Sequence, residues 1–147
     1  MKYFFSLALI LSVAAARAQS AQDSVRAAVN QLFTAMITSD SALLRTAFTD
    51  SAILQTIITP KDGGISVRNE RVQEFAAAIS KRPGGDLDER IQFDVIKIDG
   101  PLAIVWAPYS FYLKGVKHHC GTDSFQLLRI NGRWKIQYLI DTRRACD

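Results

Sequence analysis

The 147-residue sequence predicts an α+β domain, and three observations carry that prediction. Helical periodicity is confined to the first half, where Val25, Ala28, Val29, Leu32, Phe33, Met36 and Ile37 recur at three-and-four spacing. The second half alternates apolar and polar residues around glycine-bearing turns at Asp99-Gly100, Lys114-Gly115 and Asn131-Gly132. Helices followed by hairpin-linked strands give a layered domain, three helices over one face of an antiparallel sheet.

The chain begins with a charged Met1-Lys2, runs through an apolar stretch to Ala16, and reaches Ala16-Arg17-Ala18 before Gln19. Small residues at the first and third positions of that triplet predict a secretory signal peptide over residues 1–18, with a retained anchor as the alternative. The apolar run is short for a membrane span, which needs ~20 residues. Residues 19–147 are enough for one domain with one core. Without Lys2 and Arg17 the formal charge falls from +4 to +2. The remaining cations, among them Arg45, Arg68, Arg71, Lys81, Arg82 and Arg90, form no stripe interleaved with aromatics, which argues against nucleic-acid binding. Export, periplasmic or secreted, places Cys120 and Cys146 in an oxidising compartment; a disulfide and two free thiols are both open.

Asp23 or Ser24 caps the first helix, and Thr38-Ser39-Asp40 interrupts it. Asp40 then caps a shorter helix carrying Leu43, Leu44, Ala47 and Phe48. Residues 51–59 are rich in isoleucine and threonine and read as a strand ended by Pro60 and Lys61-Asp62-Gly63-Gly64. Ser66 is expected to cap a third helix with Val72, Phe75, Ala76 and Ile79 on its apolar side, stopped by Pro83-Gly84-Gly85. Residues 90–98 alternate but slip phase at Val95, which predicts a β-bulge. In the next strand, residues 102–113, Pro108 requires a bulge or a local edge.

Residues 116–144 form the most legible hairpin. The Asn131-Gly132 turn predicts Leu127 opposite Ile136, Phe125 opposite Tyr138, Asp123 opposite Ile140 and Cys120 opposite Arg143. A two-residue turn at Lys114-Gly115 places Trp106 opposite Asp123, Ile104 opposite Phe125 and Leu102 opposite Leu127. One face then carries Trp134, Ile136, Tyr138, Ile140, Phe125 and Leu127, with Asp123 and His119 in the same row. His118, Cys120, Asp141 and Arg143 fall on the other face.

Three stretches carry a family resemblance: Ser39-Asp40-Ser41-Ala42-Leu43-Leu44 after the first helix; Phe48-Thr49-Asp50-Ser51-Ala52; and Phe125-Gln126-Leu127 with Asn131-Gly132-Arg133-Trp134-Lys135-Ile136. In order and spacing the chain resembles the nuclear transport factor 2-like superfamily, with its ketosteroid-isomerase-like and SnoaL-like members. It looks most like small exported bacterial proteins, some of them named for lumazine binding. The resemblance implies a cone-shaped, strongly bent antiparallel sheet wrapped by the three helices, a pocket at one end, and often a dimer. It also implies a check on one chemistry. The base aspartate of the isomerases aligns with Thr56 and their helix tyrosine with Leu32 or Phe33, so that proton shuttle is missing.

Asp123 is the sharpest candidate, because burial among apolar side chains favours its neutral form and suits a general acid or base. The alternative is structural, with Asp123 paired to an arginine, a backbone amide or the Trp106 indole. The expected ligand pocket comprises Asp123, His119, Trp106, Phe125, Tyr138, Phe93, Tyr112 and Phe33. No metal or cofactor is expected, since His118, Cys120 and Asp141 make a poor zinc set. The expected function is binding of a small apolar or aromatic molecule, with no nucleic-acid partner and no membrane association after signal cleavage. Two alternatives stand beside it: a cofactor-free cyclase or isomerase using Asp123, and an interaction domain forming a homodimer through an outer sheet face with Val105, Leu128 and Leu139.

Overall fold

The computed structural model describes residues 3–60 and 63–146, with side chains from residue 21 onward. The expected leader, residues 1–18, lies outside the residues described with side chains, as do Lys61 and Asp62. Helix α1, Tyr3–Thr38, packs Val25, Val29, Leu32, Ala35 and Met36 into the core. It ends where Ser39 takes a positive φ of 56°. Asp40 caps α2, Ser41–Ala47, by accepting from the Ala42 and Leu43 amides at 3.0 and 2.8 Å. Among the described residues no helix is long and apolar enough to cross a membrane.

Seven strands follow in one sheet: β1, Phe48–Ile58; β2, Ser66–Glu70; β3, Leu87–Ile91; β4, Val95–Asp99; β5, Leu102–Leu113; β6, Val116–Ile130; and β7, Arg133–Arg144. Their order is β2-β1-β7-β6-β5-β3, with β4 also on β5. The sheet is mixed rather than purely antiparallel, because β1 runs parallel to β7. Ser66 does not cap the third helix: residues 66–70 pair with β1, and α3, Val72–Ile79, starts after Arg71. The strand expected over residues 90–98 is two strands, and the phase slip at Val95 marks the break between them.

Pro108 sits at that break. Its carbonyl accepts the Gln92 amide at 2.9 Å, so its missing N–H faces the same irregular edge, where no ladder partner is required. The bulge comes later, at Phe111/Tyr112, where His118 is the extra residue and Phe111 pairs with His119. This shifts the β5/β6 register by one. Ala107 rather than Trp106 lies opposite Asp123, Val105 opposite Phe125 and Ala103 opposite Leu127. Ala103, Val105 and Ala107 are therefore buried, whereas Leu102, Ile104 and Trp106 are exposed on the outer face.

A second bulge reorganises the opening hairpin. Leu127 pairs with Ile136 as expected, but Gln126 pairs with Tyr138, leaving Gln137 as the extra residue. From there the register differs: Phe125 faces Leu139, Asp123 faces Asp141 and Cys120 faces Arg144. Gln137 accepts the Thr49 hydroxyl at 2.7 Å and donates to the Ser51 carbonyl at 3.1 Å, tying the bulge to β1. One inserted residue exchanges the two faces of the remaining strand. Leu139, Asp141 and Arg143 turn inward, Tyr138 and Ile140 outward, and Val105 and Leu139 leave the outer face assigned to them. Cys120 and Cys146 are joined by a disulfide, with Cα atoms 5.1 Å apart.

Candidate functional site

The helices and the bent sheet enclose a cavity of about 160 Å³. Leu32 and Met36 of α1, Phe75 of α3, Leu54 of β1, Leu87 of β3, Phe111 of β5 and Leu139 of β7 supply its apolar wall. Thr56, Glu70, Glu89, His119, Asp123, Asp141 and Arg143 supply its polar end. Strand alternation explains the set. Leu87 and Glu89 share the inner phase of β3, His119 and Asp123 that of β6, and Leu139, Asp141 and Arg143 that of β7 after its bulge.

Two of the carboxyl groups are built differently. Asp141 is saturated: Thr56 donates at 2.7 Å, the Tyr109 hydroxyl at 3.1 Å and Arg143 Nε at 3.0 Å. The Tyr109 hydroxyl also reaches the Thr142 carbonyl at 2.9 Å. Tyr109 gets there by crossing β6 at Gly121. A Cβ at position 121 would land on the Thr142 carbonyl oxygen and 2.6 Å from the Tyr109 ring. Burial, and then the charge of Asp141, push the tyrosine's pKa up, so it stays a donor.

Asp123 is only 3% exposed, and its Oδ2 has no hydrogen-bond partner among the described residues. Its carboxyl is hydrogen-bonded to that of Glu89, which requires a proton between them. Burial first, then the charges of Glu89 and Asp141, hold Asp123 well above the ordinary aspartate range, so Asp123 keeps the proton. Glu89, partly buried on the cavity wall, is pushed up to about 7, again by burial first and then by Asp141. Burial, then the nearby Arg143, holds His119 down at about 4, leaving a neutral imidazole at neutral pH. The cavity thus brings together a protonated acid, a carboxylate poised near neutrality and a neutral imidazole.

Asp123 and His119 share this cavity, but the other six residues expected with them do not line it. Trp106 is 48% exposed on the outer face. Tyr138 turns outward and donates to Gln55 Oε1 at 2.6 Å. Tyr112 lies outside under the Arg90 guanidinium, 4.2 Å from its ring. Phe93 falls between β3 and β4 beneath Arg26, at 4.7 Å. Phe33 and Phe125 pack edge to face in the core, with centroids 6.3 Å apart. Cys120 is consumed by the disulfide and Asp141 lies inside, which separates the sketched zinc set. Among the described residues no group of three or more such side chains is placed to hold a metal ion.

Sequence reasoning missed Glu89, Glu70, Tyr109 and Thr56 as wall or network residues, and put Asp141 and Arg143 on the wrong face. Glu89 was findable, since it continues the phase of Ile91. Asp141 and Arg143 were not, because nothing local announces the extra residue at Gln137. The Thr56 hydroxyl is spent on Asp141.

Solved structures share this architecture. A nuclear transport factor 2-like protein of unknown function from Shewanella baltica superposes with a TM-score of 0.67 at 17% identity, covering 86% of this chain and 96% of its own. One from Methylobacillus flagellatus gives 0.65 at 18%, covering 86% and 94%. Another, from Silicibacter pomeroyi, gives 0.66 at 14%, covering 86% and 98%. At these identities the likeness shows the fold. No curated protein matches the sequence. The family described as "Putative lumazine-binding" matches residues 20–138, and the chain belongs to it, within the nuclear transport factor 2-like superfamily.

Proposed function

We propose that residues 19–147 act outside the cytoplasm as a small-molecule-binding domain, after removal of residues 1–18. The observation that carries this reading is the unpartnered Oδ2 of Asp123 at the end of a largely apolar cavity. A buried polar atom without a partner costs ~1–3 kcal/mol, and a ligand donor recovers it. The cavity, about 160 Å³, is close to the ~150 Å³ that takes a benzene ring and below the ~300 Å³ where drug-sized sites begin. A compact flat ring fits it, with its polar edge on Asp123 and His119. Lumazine, the compound in the family's description, is the first ligand to titrate.

Native mass spectrometry of the protein recovered from the exported fraction tests this reading. The expected result is one bound small molecule per chain, released on denaturation and lost in Leu139→Phe, which fills the cavity. An unliganded protein that also binds no ring compound on titration would end it.

A second reading, acid–base catalysis without a cofactor, is favoured by the Asp123–Glu89 pair, in which Glu89 gains and loses its proton near pH 7. A homodimer is proposed through the outer face, where Leu102, Ile104 and Trp106 form an exposed apolar row.

A further inference from the structure

The polar end of the cavity carries four carboxyl groups, Glu70, Glu89, Asp123 and Asp141, and one guanidinium, that of Arg143. Asp141 and Arg143 neutralise each other at 3.0 Å. Arg68, on the same face of β2 as Glu70 and opposite Thr56, offsets the charge of Glu70. Glu89 and Asp123 are left facing the cavity with no cation of their own among the described residues. The groups packed around this pair are Asp141 and Arg143 from β7, Tyr109 from β5, His119 from β6 and Glu70 from β2. Leu32, Met36 and Phe75 from the helices bring no charge.

The hydrogen-bond inventory points the same way. The proton between Asp123 and Glu89 is used within the pair, and the Tyr109 proton is used by Asp141 and the Thr142 carbonyl. What remains at this end of the cavity is acceptors: the Asp123 carboxyl, whose buried Oδ2 has no partner among the described residues, and the Glu89 carboxylate on the wall. An anionic ligand meets uncompensated negative charge here. A neutral ligand without N–H groups leaves Oδ2 unsatisfied. A cation bearing N–H groups meets both needs, and a desolvated, charge-assisted contact is the strong kind.

We propose that the cavity selects a compact cation, an ammonium or amidinium group carried on an apolar ring. Its N–H groups bond Asp123 and Glu89 while the ring lies against Leu32, Met36 and Leu139. The proposal rests on the small-molecule-binding reading and adds the ligand's charge. It also has a proton consequence: with the cation in place both carboxyls ionise, and the proton they shared leaves to solvent.

Calorimetric titration of the intact domain with benzylamine, benzamidine, benzyl alcohol and benzoate tests the proposal at pH 7, in buffers of different ionisation enthalpy. The two cations are expected to bind at least tenfold more tightly than benzyl alcohol, releasing at least one proton per molecule bound, with benzoate weakest. Glu89→Gln is expected to narrow the preference for the cations while retaining binding of the ring. Benzyl alcohol or benzoate binding as tightly as the amines would overturn the charge assignment and leave the binding reading standing. Absence of binding by all four would remove both.

Discussion

Replacing Glu89 with glutamine tests the buried carboxyl pair through stability. In the folded chain Glu89 is held up to about 7, against an ordinary value of 4.5. Because its folded value is the higher one, its contribution to stability is fully present below about 4.5 and is lost as pH rises through about 7. At ~1.36 kcal/mol per pH unit, that difference corresponds to about 3 kcal/mol. Asp123, also held up by burial, acts in the same direction, and the pair titrates as a unit. With a urea slope of ~1–3 kcal/mol per molar, the wild-type midpoint falls by about 1–3 M between pH 5 and pH 8.5. In Glu89→Gln the new side chain has no proton to lose, keeps an amide donor for Asp123 and removes the charge beside it, so the variant's fall is expected to be less than half as large. Urea melts of both proteins at the two pH values provide the comparison. Equal falls in the two proteins, or a wild type indifferent to pH across this range, would refute the assignment of a shared proton to Asp123 and Glu89.

The remaining predictions concern what holds the site in place. Gly121→Ala drives a Cβ into the Thr142 carbonyl and the Tyr109 ring, so a loss of ~1–3 kcal/mol is expected in chemical denaturation, with Tyr109 displaced from Asp141. Tyr109→Phe removes a hydroxyl shared between Asp141 and the Thr142 carbonyl; a loss of ~1–2 kcal/mol is expected by the same assay. Reduction, or Cys146→Ala, opens a loop of sequence separation 26, and chain entropy places the cost at about 3 kcal/mol, read as a lower thermal midpoint under reductant. Intact-mass measurement of the exported protein is expected to place its N-terminus at Gln19; a chain beginning at Met1 would contradict export by a cleaved leader.

Much of the fold was legible because the signals were local. The face of α1, the Asp40 cap and the Asn131-Gly132 turn each depend on residues a few positions apart, and α+β followed from their order. The parallel pairing of β1 with β7 was not legible, because it joins residues far apart in the chain with no shared turn. The site divided along the same line. Asp123 and His119 share a face through alternation within one strand, which survives any change of partner. Their neighbours across the sheet depend on register, and two single-residue bulges, at His118 and Gln137, changed it. The predicted aromatic lining moved outward or into the core, and a polar set of Glu89, Asp141 and Arg143 replaced it. The expectation of one acid on an apolar face thus became a carboxyl pair at the polar end of a largely apolar cavity.

The most direct test of the central claim is a two-dimensional amide NMR titration with lumazine and then benzylamine. Binding in the cavity predicts shifts confined to the amides of Thr56, Glu89, Phe111, His119, Asp123 and Leu139, and their loss in Leu139→Phe. Shifts concentrated on the outer row of Leu102, Ile104 and Trp106, or no shifts with either compound, would contradict it.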